Sequence, residues 1–251
     1  MRAYDEAFAK LDPCTQIRLD LTVAHRWAAR WNWNEGVVNH FTAVVPGHPD
    51  RFYAIPYGVH WTEVRPRDFL TVSLDGSIVE GDGEIELTSL MIHGAMHRAL
   101  PRAQVILHTH QPHITAFTCL VDQSFDICNQ PSLHFPGRIA YLNEYGLATE
   151  SSIGGAILDA IGSRDILMMA NHGVTVCGPN VSQAFDDLYM LDRACQVQLL
   201  AHASGRPLRT VAPSVITSMM DSVRAKAIQE GDQHFRALRR VLWREEPNLL
   251  E

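Results

Sequence analysis

Apolar residues recur at helical spacing through residues 14 to 31, CTQIRLDLTVAHRWAARW, and predict an amphipathic helix that stops at NWNEG, where Asn and Gly favour a turn. The period then changes. HFTAVVP, RFYAIPYG and FLTVSLDGSIVEG are short, rich in β-branched and aromatic residues, and punctuated by Pro, Gly and Asp-Gly, which predicts strands of an antiparallel or mixed sheet. Helical spacing returns in LTSLMIHGAMHRAL, with Thr88 or Ser89 as the N-cap and Pro101 beyond the end. AQVILHTH reads as a buried strand, HITAFTCLV as a short helix, residues 151 to 162 as another helix, and RDILMMANHG as a second buried strand running into histidine. SQAFDDLYMLDRACQVQLLAHASG predicts a long helix capped by Ser182 and closed by Gly205, and SVRAKAIQEGDQHFRALRRVLWREEPN predicts one or two more. No internal repeat, low-complexity block or long polar linker interrupts the pattern, so the expectation is one α/β domain over residues 1–251 with helices covering a central sheet.

Composition narrows the partners. The 251 residues are 46% apolar and 20% charged, as in an ordinary soluble globular protein. A net charge of -7 and a pI near 6.0 argue against non-specific nucleic-acid binding, which needs a basic footprint. For the same reason Trp27, Trp31 and Trp33 read as packing residues rather than a base-stacking platform. An anionic substrate would need a local cationic site, such as a metal. The cysteines Cys14, Cys119, Cys128, Cys177 and Cys195 are scattered and form no C-x-x-C pair, which suggests reduced thiols. MRAYDEAFAK lacks the apolar core of a signal peptide and no apolar run is long enough to span a bilayer, so a cytoplasmic setting without a membrane partner is expected.

Two of the predicted strands carry histidine at their ends. On an extended strand His108 and His110, two apart, share a face. Alone, the pair also suits partly exposed polar residues closing a core strand, since 13 histidines produce such spacings by chance. NHG adds His172, followed by Gly173, which removes bulk beside the imidazole. Three imidazoles with an open position suit a catalytic rather than a structural metal site. One divalent ion per chain is expected: Zn2+ fits best by ligand softness, and imidazole also suits Mn2+, Fe2+ and Co2+. His93 and His97, at i and i+4, share a helix face; each also reads as a core histidine bonded to a backbone carbonyl. His113 suits either support of the ligand pair or helix capping.

HTHQPHITAF, followed further along by NHGVTVCGPNVSQAFDDLYMLDRACQVQ, resembles the class II aldolase/adducin family, whose metal ligands are an H-x-H pair and a later His-Gly. VVNHFTAVVPGHPDRFYAIPYGVHWTEV resembles its first strands and substrate loop, and ALRRVLWREEP the C-terminal helix of its adducin-like bacterial branch. The resemblance implies a three-layer α/β/α fold around a mixed, largely antiparallel sheet. It makes His108, His110 and His172 the ligands of a metal that polarises a substrate carbonyl and stabilises an enediolate. It also implies a homo-oligomer, a tetramer with sites at subunit boundaries, and a small-molecule substrate contacted by Asn39, His40 and Thr42, by Tyr57 and Gly58 of the PYG turn, and by Tyr145.

The chain departs from the sugar-phosphate aldolases at two places. Their acid/base glutamate, counted back from the first metal histidine, falls on Ser89; the nearest upstream carboxylate, Glu86, reads as part of a polar loop and reaches that slot only by a local shift. Their Gly-Asn-x-Ser phosphate loop is here NHFT, in which bulky His40 weakens a backbone cradle for phosphate. In the adducin-like branch the glutamate position is commonly small and the helix begins with histidine, which makes His93 a candidate proton carrier beside Ser89 and Glu86. These features point to a metal-dependent lyase that cleaves a C–C bond next to a carbonyl or carboxylate, by aldol-type cleavage or decarboxylation. A non-catalytic adducin-like assembly module and a non-heme iron oxygenase are the alternatives.

Overall fold

A computed structural model describes residues 2–144 and 152–249. After α1 (Arg2–Ala9), helix α2 (Pro13–Arg30) starts where the Asp12 carboxylate accepts the Thr15 amide and Pro13 sits where a missing N–H costs nothing. Strands β1 (His40–Val45), β2 (His48–Ala54), β3 (Leu70–Ser73) and β4 (Ile78–Glu80) then meander to one sheet edge. Helix α3 (Leu87–Ser89) passes through a π turn (Leu90–Gly94) into α4 (Ala95–Ala99). Next come β5 (Val105–Thr109), α5 (Pro112–Thr118), β6 (Ile139–Leu142), α6 (Ser152–Ile161), β7 (Ile166–Met169), β8 (Gly173–Gly178), α7 (Val181–His202) and α8 (Pro213–Glu245). The eight strands form one sheet in the order β4-β3-β2-β1-β5-β8-β7-β6, antiparallel except for the parallel pair β6–β7.

Period-two alternation gives the central strands β5, β7 and β8 two buried faces. Phe41, Ala43, Val105, Leu107, Val174 and Val176 pack on α2, α7 and α8. Ile106, Leu167 and Cys177 pack on the other side, against Ile92 and Met96 of the α3–α4 segment and Ile157 and Ile161 of α6. The arrangement is the expected three-layer α/β/α with a mixed, largely antiparallel sheet. His40 and Thr42 of β1 and His108 of β5 share the face under the α3–α4 segment, because β1 pairs with β5 at His40↔His108 and β5 with β8 at His108↔Thr175.

Several boundaries differ from the sequence reading. The α3 cap is Glu86, whose carboxylate accepts the Ser89 amide, not Thr88 or Ser89. The long helix is capped by Asn180, which accepts the Gln183 amide and leaves Ser182 inside; it ends at His202, short of Gly205. The strand predicted to run into His172 stops at Met169, because Asn171 takes a left-handed conformation (φ 56) that turns the chain, and GVTVCG forms an unanticipated strand, β8. The tail is one helix of 33 residues. All five cysteines are unpaired, and no helix among the described residues is long and apolar enough to cross a membrane.

Candidate active site

The three histidines singled out in the sequence meet. One ring nitrogen from each of His108, His110 and His172 lies within 4.8 Å of the others. His108 reaches this point from the last turn of β5, His110 from just beyond it, and His172 from the β7–β8 turn. Gly173 makes the approach possible: a Cβ there would stand 2.4 Å from the Thr109 carbonyl oxygen and 2.9 Å from His110 Cδ2. His108 Nδ1 donates to the Val174 carbonyl at 3.0 Å, and His110 Nδ1 lies 2.5 Å from Glu35 Oε2. With those protons committed, the two Nε2 atoms face each other at 3.1 Å as lone pairs. Two lone pairs at this distance repel unless a cation lies between them, and tetrahedral imidazole ligation of zinc holds nitrogens about 3.3 Å apart. The donor set therefore fits a divalent metal. Burial holds the His108 imidazole well below its ordinary range, with His40, His172 and His110 adding to the effect, and takes His172 down to about 4. Both are presented as neutral ligands.

In the sequence Glu35 reads only as part of the NWNEG turn. As a carboxylate it fixes which ring nitrogen of His110 carries the proton, and so would hold that ring for a metal. Glu35→Ala is expected to weaken zinc binding about tenfold, the low end of the ~10–100-fold range for such partners, because the Glu35 side chain is 63% exposed. Glu35→Gln, which keeps an acceptor oxygen, should lose less. Competition against a chromophoric chelator measures both, and an unchanged affinity in Glu35→Ala would remove Glu35 from the site.

Beside the triad, the His40 ring stacks on His108 with centroids 5.0 Å apart and forms part of the wall of a narrow cleft. Asn39, Tyr57, Glu86 and Ser89 also line it. The sequence candidates therefore come together from three separate segments. Asn39 takes a left-handed φ of 74, and its amide nitrogen and oxygen, like the Ser89 hydroxyl, are buried without a hydrogen-bond partner. Unsatisfied buried polar groups are costly and mark places where a ligand completes the bonding. The cleft holds about 10 Å3, the space of a single water or hydroxyl. Glu86 is in this wall rather than on a remote polar loop: its Oε2 accepts from the Thr88 hydroxyl and the Ser89 amide and lies 3.7 Å from His40 Nε2.

Three candidates sit elsewhere than expected. Thr42 is outside the cleft lining, its hydroxyl committed to His93 Nδ1 at 2.7 Å and His97 Nε2 at 2.8 Å. His93 is fully buried behind His40, with His40 Nδ1 2.9 Å from its Nε2, so it does not border the cleft. The π turn and the true helix start at Leu87 set it over β1 instead. Gly58 lies one residue past the lining, where φ 91 requires glycine but no atom approaches. Tyr145 falls outside the described residues. His97 donates from Nδ1 to the Ala103 carbonyl at 2.7 Å, the core role its sequence context suggested. His113 pairs with buried Asp192 at 3.1 Å and ties α5 to α7.

The model of the class II aldolase and adducin N-terminal domain matches residues 20–199. The chain is similar to the crystal structure of an aldolase II superfamily protein from Pseudomonas syringae, with TM-score 0.86 and 27% identity over 98% of this chain and 100% of that one. It is also similar to an L-fuculose 1-phosphate aldolase from Glaciozyma antarctica, with TM-score 0.82 and 25% identity over 96% and 97% of the two chains. Decarboxylase NovR of Streptomyces niveus is 27% identical over 187 residues, 74% of this chain and 69% of that protein. With a family match across most of its length and these folds as neighbours, the chain belongs to the class II aldolase and adducin family.

Proposed function

We propose that the chain is a metal-dependent carbon–carbon lyase acting on a small, non-phosphorylated carboxylate, by decarboxylation or aldol-type cleavage. One observation carries the choice of substrate class: among the described residues, no arginine or lysine lines the cleft beside the triad, and the Glu86 carboxylate does. A phosphate dianion would meet repulsion there and no cationic partner. A divalent ion held by His108, His110 and His172 would supply positive charge beside the substrate oxygens and stabilise the charge that develops when the neighbouring C–C bond breaks. Asn39 and Ser89 offer unpartnered donors to orient the substrate. Glu86 takes the part of proton carrier, because His93 has both ring nitrogens occupied inside the fold. Ser89 cannot act as a base near neutral pH. The decarboxylase relative supports the reading, and the sugar-phosphate aldolase neighbour makes the phosphate question worth testing.

Two assays on the zinc-loaded protein decide it, CO2 release from hydroxy-aromatic or keto acids and triose-phosphate release from L-fuculose 1-phosphate. The expected result is turnover in the first and little in the second, with Glu86→Gln lowering the first by about 10²–10⁴-fold. Fast triose-phosphate release with no CO2 would reverse the assignment, and oxygen consumption would favour the oxygenase. We further propose a homo-oligomer, a tetramer in keeping with the family. Around the cleft Val37, Val38, Tyr57 and Leu87 are 37%, 38%, 56% and 62% exposed, an apolar rim that a neighbouring subunit would cover. Light scattering showing a monomer at micromolar concentration would contradict this.

A further inference from the structure

A second cavity, of about 540 Å3, opens at the opposite end of β5 and β8 from the triad, where Gln104 precedes one strand and Gly178 ends the other. The six residues of β8, from Gly173 beside His172 to Gly178, set the two places about 15 Å apart. Its walls carry the cations that the cleft lacks. Arg102 borders it from the turn before β5, Arg138 from the start of β6, Arg164 from the α6–β7 turn and Arg224 from α8. Three aspartates line it too, and each is already engaged. Asp187 takes a two-pronged bond from Arg138, with Nη1 2.8 Å from Oδ1 and Nη2 2.5 Å from Oδ2. Asp165 lies 3.2 Å from Arg138 Nε and 3.9 Å from Arg102 Nε. Asp186 turns to His234 Nδ1, 2.7 Å away.

Two guanidinium groups are left over. Among the described residues the Arg164 side chain has no carboxylate partner, and Arg224 reaches only the Pro136 carbonyl, at 3.5 Å. The two are exposed and come to the cavity from separate elements. Arg102 commits Nη2 to the Gly162 and Arg164 carbonyls, and its Nε is buried without a hydrogen-bond partner, as is Nδ1 of His134, which also lines the cavity. Atoms left in this state are costly, and a ligand that bonds to them recovers the loss. Beside Arg224, Ala227 and the exposed Ile228 give the cavity an apolar wall. Guanidinium forks match phosphate oxygens, and about 540 Å3 is a volume that takes an organic ligand rather than a bare ion. We propose that this cavity is a second binding site, for a phosphate monoester with an apolar organic body. Arg164 and Arg224 hold the phosphate, and the wall of Ala227 and Ile228 holds the body. Phosphate finds here the charge that the cleft beside Glu86 denies it, so the site stands apart from the chemistry of the metal centre.

The probe is phenyl phosphate, titrated by calorimetry into the zinc-loaded full chain freed of excess zinc, with inorganic phosphate and phenol as its two halves. One saturable site per chain is expected, with inorganic phosphate about tenfold weaker and phenol below detection. Arg164→Ala and Arg224→Ala should each weaken phenyl phosphate about tenfold. Arg164→Lys should lose less than Arg164→Ala, because it keeps the charge and gives up only the fork. Ile228→Glu, which sets a carboxylate against the phosphate, should abolish binding. All three positions are exposed, so these variants should melt as the wild type does. His172→Ala should bind phenyl phosphate like the wild type, which separates this cavity from the metal centre. Absence of saturable binding up to about 10 mM overturns the proposal. So does binding that survives both arginine variants, binding lost in His172→Ala, or equal affinity for inorganic phosphate.

Discussion

Saturating zinc is expected to raise the melting temperature of the wild-type protein and to leave His108→Ala, His110→Ala and His172→Ala almost unmoved. A ligand that binds only the folded chain stabilises it by about 2.7 kcal/mol when its free concentration is about 100 times Kd. For a chain of this length about 2–4 °C accompanies each kcal/mol, so the shift should be about 5–10 °C. The facing Nε2 lone pairs of His108 and His110, 3.1 Å apart, drive this shift, because a cation between them converts repulsion to attraction. Elemental analysis of the four proteins gives the stoichiometry independently, with about one ion per chain in the wild type alone. Undiminished metal in all three variants would remove the centre from the description.

Acid should begin to destabilise the metal-free protein well above the pH at which its carboxylates titrate. His25 and His97 are buried, with burial taking each down to about 4, and burial holds His93 well below its ordinary range too. In the unfolded chain each returns to about 6.5, so the unfolded state binds more protons through the window between about 6.5 and 4. Stability from these groups is therefore present above pH 6.5 and is lost as pH falls toward 4. Each contributes about 1.4 kcal/mol per pH unit, about 4 for the three, against a total stability of about 5–15 kcal/mol. The urea midpoint should drop steeply below pH 6, with loss of structure by about pH 4.5. His25 is the best single probe: it is fully buried against Phe41 and Trp61, its Nδ1 donates to the Leu21 carbonyl, and its Nε2 has no partner. His25→Leu should flatten the slope by about one histidine's share. A urea midpoint constant from pH 7 to 5 would contradict the account.

Much of the site was legible because it depends on short-range periodicity. That His108 and His110 share a face follows from the two-residue repeat of a strand, and that His93 and His97 share one follows from the helix. Residues whose placement depends on pairing between distant segments were harder. Reading LMMANHG as a strand running into histidine found His172 but missed β8, although GVTVCG is β-branched and alternates. With β8 missed, so were the Val174 carbonyl and Thr175 beside His108. Glu35 gave no signal, since a lone glutamate in a turn looks like any solvated charge until the fold brings it to His110. His93 reads from the sequence either as a candidate proton carrier or as a core histidine, and it lies behind His40, because a π turn, invisible in the apolar pattern, sets where the helix presents it.

By itself the sequence determined the order and type of most elements, the three histidines that converge and the family, since local propensity and the spacing of motifs are properties of the chain. Tertiary structure decided what those residues do for one another. The register His40↔His108 stacks a histidine from β1 on His108 of β5, and the same pairing lays Thr42 under His93 and His97. A hydrogen bond has a direction that depends on the partner at its far end. His97 Nδ1, for one, donates to the backbone carbonyl of Ala103, six residues further on.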